Sequence, residues 1–172
     1  MINIEEIPIE ENLETLTVKI QVDQNKAFLV TVLYKNPSAP ASTLDHIHSL
    51  LEHHARTNLN FYLVGDFNLD FRDKKNKHVS TCKKWLRKFK TTQLIEQPTR
   101  VTEKSSTTID WAITNAKDMV RETKSIPTAI SDHNLITVEL LVKQPKQKPR
   151  KYVGRNWKQY SVNKLLAGLN QL

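Results

Sequence analysis

The sequence predicts a mixed α/β domain in which helices pack on β-sheet, and three observations carry that reading. Residues 14–22 alternate polar and apolar side chains and residues 27–34 are rich in β-branched and aromatic ones, both signatures of strands. Apolar residues recur at helical spacing at Leu44, Ile47, Leu50 and Leu51, and again at Val79, Cys82, Trp85, Leu86 and Phe89. Strand-like runs return between and after these helices, at 61–64, 107–114 and 135–142. Strands interleaved with helices imply layers that share one core.

Taken in order, the first two strands are joined by Asp23-Gln24-Asn25-Lys26, which has turn composition, so 14–34 reads as a hairpin with Leu16, Val18, Ile20 and Val22 inward. Pro37 and Pro40 stop the second strand. Ser42-Thr43-Leu44-Asp45 is a helix-capping sequence for the first amphipathic stretch. His46, His48 and His53 fall off its apolar stripe and are expected in solvent, whereas His54, at the stripe's edge, is expected to pack. Cys82 lies on the stripe of the second helix and belongs to the core.

At 172 residues the chain can bury one ordinary core, giving a domain over 1–142 and a tail over 143–172. A lone cysteine forbids an internal disulfide, and the six histidines show no zinc-ligand spacing. The acidic opening, Met1 to Glu6, is unlike a secretory signal, and the apolar run Ala27 to Tyr34 is too short to span a bilayer, so an intracellular location is expected.

Net charge is +8 but unevenly spread: residues 1–70 carry 10 acidic and 4 basic side chains, 71–142 carry 8 and 14, and 143–172 carry none and 8. One basic cluster, from Arg72 to Lys90, directly follows the strand at 61–64, and the tail holds another in Gln144 to Lys151, a proline-spaced linker that also has the composition of a nuclear address. Phosphate backbones are the commonest partners of such clusters, and a solvated helix face is the bland alternative. Trp157 to Leu172 is expected to form a short helix through Tyr160, Leu165, Leu166 and Leu169.

Three strand ends deliver chemistry. Phe61-Tyr62-Leu63-Val64 runs into Gly65-Asp66-Phe67-Asn68, where a continued strand would set the Asp66 and Asn68 side chains on one face. Asp110 interrupts the apolar neighbourhood of Thr107 to Thr114, and Ser131-Asp132-His133 opens the last strand. Each alone is explicable as turn chemistry. Together they supply what metal-assisted phosphodiester cleavage needs: oxygen ligands for a hard cation, a group to orient water, and donors for the charge that develops on phosphorus.

In these motifs and their order, Gly65-Asp66-Phe67-Asn68, Thr108-Ile109-Asp110 and Ser131-Asp132-His133, the sequence resembles the endonuclease/exonuclease/phosphatase superfamily. Tyr34-Lys35-Asn36-Pro37, Pro98-Thr99-Arg100 and Thr108 to Asn115 are similar to the apurinic-type endonuclease domain of non-LTR retrotransposons. The resemblance spans about residues 13 to 142, with a weaker likeness of Arg155 to Tyr160 to the connector leading towards a reverse transcriptase. It implies a four-layer α/β/β/α sandwich lacking its opening strands. It also implies roles: Asp66 orients or deprotonates the water, Asn68 binds the scissile phosphate, His133 contacts that phosphate with Asp110 as its partner, Asp132 helps hold Mg2+ or Mn2+, and Tyr34 lies against the phosphate or leaving group. Thr107 or Thr108 would add a phosphate donor, and Arg72, Lys74, Lys75, Lys77 and Arg100 would meet the nucleic-acid backbone, with DNA as the expected partner and the nucleus as the expected compartment.

The family's opening segment, with an active-site Asn and the Glu that is its principal metal ligand, has no counterpart before Leu16. Glu5, Glu6, Glu10, Glu11 and Glu14 read as surface charge. Weakened or absent catalysis is therefore expected, together with an uncovered sheet edge open to self-association. The alternatives are a non-catalytic nucleic-acid-binding domain acting through the basic helix and tail, and a phosphatase or lipid phosphodiesterase of the same superfamily.

Overall fold

The structure is a computed structural model and describes residues 2–5, 12–142, 154 and 161–170. The basic linker from Gln144 to Lys151 and the segment from Arg155 to Tyr160 lie outside these residues. The centre is a six-stranded sheet in the order β1-β2-β3-β4-β8-β5. Its strands are β1 (Ile2–Glu5), β2 (Leu13–Gln21), β3 (Ala27–Lys35), β4 (Asn60–Asp66), β8 (Asp110–Thr114) and β5 (Thr92–Gln93). β2 and β3 form the expected antiparallel hairpin. The helix α1 (Thr43–Arg56) carries the chain back so that β4 runs parallel to β3, as a strand, helix, strand unit requires. Two small two-stranded sheets pair β9 (Val120–Ile126) with β10 (Leu135–Leu140), and β6 (Arg100–Val101) with β7 (Ser106–Thr107).

Both α1 and α2 (Lys77–Lys88) cover one face of the large sheet. Leu44, Ile47, Leu50 and Leu51 of α1 and Val79, Cys82 and Leu86 of α2 bury against Leu29 and Leu33 of β3, Phe61 and Leu63 of β4, and Trp111 and Ile113 of β8. Asn76 caps α2, accepting from the amides of His78 at 2.9 Å and Val79 at 3.3 Å. The capping sequence expected at α1 does not act as one: Ser42 is helical (φ −59°) and its side chain makes no cap bond, because the turn that follows Pro40 already winds into the helix, with Thr43 N donating to Pro40 O at 3.0 Å.

The inward face of β2 is the opposite of the expected one. Leu13 and Thr17 face the helices with Leu29, Thr31 and Leu33, while Leu16 is 48% and Val32 51% exposed on the far face. Period-two alternation says which side chains share a face, not which face the helices will cover. Leu16, Val18 and Ile20 instead pair across the hairpin with Val32, Val30 and Phe28. Between the large sheet and the end of β10 lies a cavity of about 660 Å³ bordered by Phe28, Tyr62, Met119, Leu141 and Val142, among others.

Polar residues on the helix-covered face are satisfied as a chain. Thr17 Oγ1 and Thr31 Oγ1 are 2.8 Å apart, and Thr31 Oγ1 lies 2.6 Å from His54 Nε2. All three residues are fully buried. His54 Nδ1 has no hydrogen-bond partner, so the fitting tautomer is neutral, with Nε2–H donated to Thr31 and Nδ1 left as a bare acceptor. Burial, with His53 adding to it, pulls the His54 pKa down to about 4. His48, expected in solvent, is instead drawn onto α2, its ring 5.1 Å from Trp85 and 5.3 Å from Phe89.

The tail helix is α3 (Val162–Leu169), beginning after an extended Ser161 and so later than Trp157. Its apolar residues Val162, Leu165, Leu166 and Leu169 are all about half exposed. Among the described residues no helix is long and apolar enough to cross a membrane.

Gly65 sets the approach of β4 to β3. Its φ is +148°, and a Cβ there would run into the backbone carbonyl of Leu33. Replacing it with alanine is therefore expected to destabilise the fold by about 3 kcal/mol or more, read as a drop in the urea midpoint. His54 predicts an acid-sensitive fold. The unfolded chain binds its proton near pH 6.5 and the folded chain only near 4, so stability is full above that window and falls as pH drops through it, by roughly 3 kcal/mol in total. Urea titrations between pH 7 and pH 4.5 should show this fall, and a His54→Gln variant should lose most of its pH slope.

Candidate active site

The candidate groups come from the ends of the central strands on the face away from α1 and α2. Tyr34 of β3 is the register partner of Asp66 of β4, and Asp66 is that of Asp110 of β8. Adjacent strands are about 4.8 Å apart, so the three side chains form one row across the sheet. His133 is delivered from the polar stretch before β10, and its Nδ1 lies 3.0 Å and 3.2 Å from the two Asp110 carboxylate oxygens. Donor atoms of Asp66, Asp110 and His133 all fall within 4.8 Å of one another. The three motifs thus converge, as their chemistry required.

Asn68 reaches the site by a different route from the one expected. The strand ends at Asp66, and Asn68 takes a left-handed conformation (φ +48°). Its backbone N–H donates to Asp66 Oδ1 at 2.8 Å, and its side-chain amide donates to Asp66 Oδ2 at 3.1 Å and to Lys35 O at 2.8 Å. A tight turn closed on the Asp66 carboxylate, rather than strand alternation, brings the two together. Both amide hydrogens point inward, holding Asp66 and tying β4 to β3. Phe67, between them, is buried and stacks on Trp111 with ring centroids 4.3 Å apart, and the Trp111 indole donates to Leu69 O at 3.0 Å and Thr108 O at 3.1 Å.

Burial raises the Asp66 pKa above the ordinary carboxylate value, and the neighbouring Asp110 adds to the rise; the Asn68 N–H, His133 and Arg100 oppose it. A carboxylate raised in this way is, once ionised, a better proton acceptor than a free aspartate.

Pro98-Thr99-Arg100 is the clamp that seats His133. The fully buried Thr99 hydroxyl accepts from the Ile109 and Asp110 amides at 3.1 Å and 2.9 Å, and its carbonyl accepts from Asn134 N at 2.7 Å. Asn134 also donates from its side chain to Pro98 O at 3.1 Å, and Arg100 forms a single bridge with His133. Sequence patterning missed Asn134 as a residue that registers the histidine against Asp110, and marked Thr99 only as part of the Pro98-Thr99-Arg100 motif, without this role.

Two expected contacts fall elsewhere. Asp132, expected to help hold the cation, is outside the Asp66, Asp110 and His133 group and accepts from Arg100 Nε at 2.7 Å. Its backbone carbonyl takes the Val101 N–H at 2.9 Å, which sets the aspartate alongside the arginine, and the guanidinium holds the carboxyl below its usual range. Thr108 is fully buried with its hydroxyl donated to Gln97 O at 2.9 Å, so it serves the loop, and only Thr107 is left part-exposed to solvent. Arg72, Lys74, Lys75 and Lys77 are exposed, and the Arg72 guanidinium donates to Ser106 O. Glu14, read as surface charge, is exposed and is the register partner of Tyr34, at the outer end of the same row.

Comparisons with known proteins agree with this fold. The chain matches the family described as endonuclease-reverse transcriptase over residues 28–137. Among solved structures, the endonuclease domain of TRAS1, a telomere-specific non-LTR retrotransposon, superposes with a TM-score of 0.66 at 14% identity, covering 83% of this chain and 70% of that one. A conserved Enterococcus faecalis protein of unknown function gives 0.56 at 16% identity, over 75% of this chain and 56% of its own. An endonuclease/exonuclease/phosphatase family protein from Leptotrichia buccalis gives 0.52 at 16% identity, over 73% and 53%. The chain thus spans about half the length of the two bacterial proteins. No curated protein matches it. At such identities the structural likeness speaks for the fold, and the family match covers well over half of the sequence: the chain belongs to the endonuclease-reverse transcriptase family, within the endonuclease/exonuclease/phosphatase superfamily.

Proposed function

We propose that this chain cleaves nucleic-acid phosphodiester bonds with a divalent cation. The observation that carries the reading is the meeting of Asp66, Asp110 and His133 within 4.8 Å at the end of a strand row that also holds Tyr34. Family membership and the likeness to a retrotransposon endonuclease domain support it, and the exposed cations from Arg72 to Lys77 favour a polyanionic substrate over a small phosphate ester.

Asp66 is the water-activating base, held in place by the backbone and side-chain donors of Asn68. Asp110 anchors His133 through Nδ1, and with the ring carrying both protons its Nε2–H would donate to a phosphate oxygen. Tyr34, 42% exposed at the end of the row, offers its hydroxyl to the same phosphate or to the leaving oxygen. Turning its amide from Lys35 O to the substrate would let Asn68 add a further donor.

The donor set suits a magnesium-type ion, which takes one or two carboxylates, retains several waters and completes its shell with substrate phosphate. Asp66 and Asp110 are the residues that would hold it, with Asp132 joining only on release from Arg100. A bound divalent ion would supply charge neutralisation at the scissile phosphate. With so few carboxylates, half-maximal activity is expected only at roughly millimolar ion.

The test is nicking of supercoiled plasmid across a magnesium series. Asp66→Asn or His133→Ala should reduce the rate by roughly a hundredfold to a thousandfold with the fold intact. On the acid side, the rate should climb with pH through a pKa above that of an ordinary aspartate, since Asp66 must be ionised to act. A folded chain that does not nick at any Mg2+ or Mn2+ concentration would overturn the catalytic reading and leave nucleic-acid binding alone.

A further inference from the structure

The helix layer carries a feature that catalysis does not use. Residues 74–90 contain eight lysines and arginines and no acidic residue. α2 buries Val79, Cys82 and Leu86, so its opposite side presents Lys77, Lys84, Arg87 and Lys88, all exposed, in a single stripe. Arg56, Arg72, Arg100, Arg121 and Lys124 each have a carboxylate within 4 Å, whereas none of the eight cations of 74–90 forms an ion pair among the described residues; Lys88 Nζ lies 3.2 Å from His48 Nε2 and Lys83 Nζ 4.4 Å over the Phe71 ring. Lys83 with Arg87 and Lys84 with Lys88 are like-charge pairs four residues apart, each opposing the helix by a few tenths of a kcal/mol. A face that repels itself and has no internal counter-charge is relieved by an external polyanion.

Position and chemistry narrow the partner. The loop that leads into α2 is latched to the site: Phe71 N donates to Thr108 O and Thr108 N to Asp70 Oδ1, both at 2.9 Å, and Thr108 lies two residues before Asp110. From there α2 runs about 18 Å over the helix layer, roughly five base-pair steps of a duplex. No large apolar side chain is exposed between 77 and 88, which disfavours a membrane surface, where such a helix would insert apolar groups.

We propose that the outer face of α2 is a second phosphate-backbone contact, holding the part of a nucleic acid that lies beyond the scissile phosphate. It rests on the nucleic-acid reading of the site for its partner but not on catalysis. The stripe acts on affinity, by counterion release, and not on the chemical step.

The test measures binding of the full chain to a duplex of about 30 base pairs in EDTA across a salt series. For Lys84→Gln/Arg87→Gln/Lys88→Gln the slope of log affinity against log salt should fall by roughly 2 to 3, with at least about tenfold weaker binding at low salt, because each lost phosphate contact removes about 0.9 from the slope. Circular dichroism should show the variant folded as the parent, all three positions being exposed. An unchanged slope overturns the proposal, as does a variant that binds DNA normally but loses binding to polyglutamate. A chain that never nicks yet shows the reduced slope in the variant upholds the proposal while sinking the catalytic reading.

Discussion

The close approach of β4 to β3 at Gly65 is the constraint on which the site depends. The missing side chain lets the Gly65 backbone lie against Leu33, and it does so one residue before Asp66. That contact fixes the parallel register in which Asp66 stands beside Tyr34, and the antiparallel register of β8 then puts Asp110 on the other side. A slip of one residue would turn every one of these side chains towards the helices. Asn68 reinforces the same register by bonding both to Lys35 O on β3 and to the Asp66 carboxylate.

Two neighbouring carboxylates repel, and the surroundings show how the repulsion is contained. His133 lies on Asp110, the Asn68 N–H on Asp66 Oδ1, and Arg100 contributes at longer range while bonded to Asp132. The balance still favours the protonated form of Asp66 more than in water, because burial is the largest influence. Lys35, buried beneath the same strand ends, feels the converse: desolvation lowers its pKa and the Asp66 charge partly restores it. Asp66 and Lys35 are thus tuned by burial first and by their neighbours second, whereas Asp132 and Arg100 are set chiefly by each other.

The large sheet is asymmetric. Its helix-covered face is packed with aliphatic and aromatic side chains, among which the Thr17, Thr31 and His54 chain and Lys35 are buried. Its other face keeps Leu16, Val32 and Tyr34 about half exposed and carries the reacting groups at one end. The basic helix lies on the packed side, away from the chemistry but joined to it by the loop latched at Thr108. The basic helix and the Asp66, Asp110 and His133 group are therefore carried by opposite layers of one molecule.

What the sequence by itself determined was whatever depends on short-range pattern. The β2 and β3 hairpin, the two amphipathic helices, the core places of Cys82 and His54, and the three polar knots at strand ends are all legible, because periodicity and residue type act over a few positions. The strand β9 was not legible, since Val-Arg-Glu-Thr-Lys-Ser-Ile is too polar to signal a strand until β10 pairs with it. Tertiary structure alone decided which face of β2 turns inward, that Asn68 meets Asp66 through a left-handed turn, that Asp132 is taken by Arg100, and that Thr99 and Asn134 seat the histidine. Each of these is a choice among partners distant in the chain, and such choices are settled by register and by burial, which no local pattern encodes.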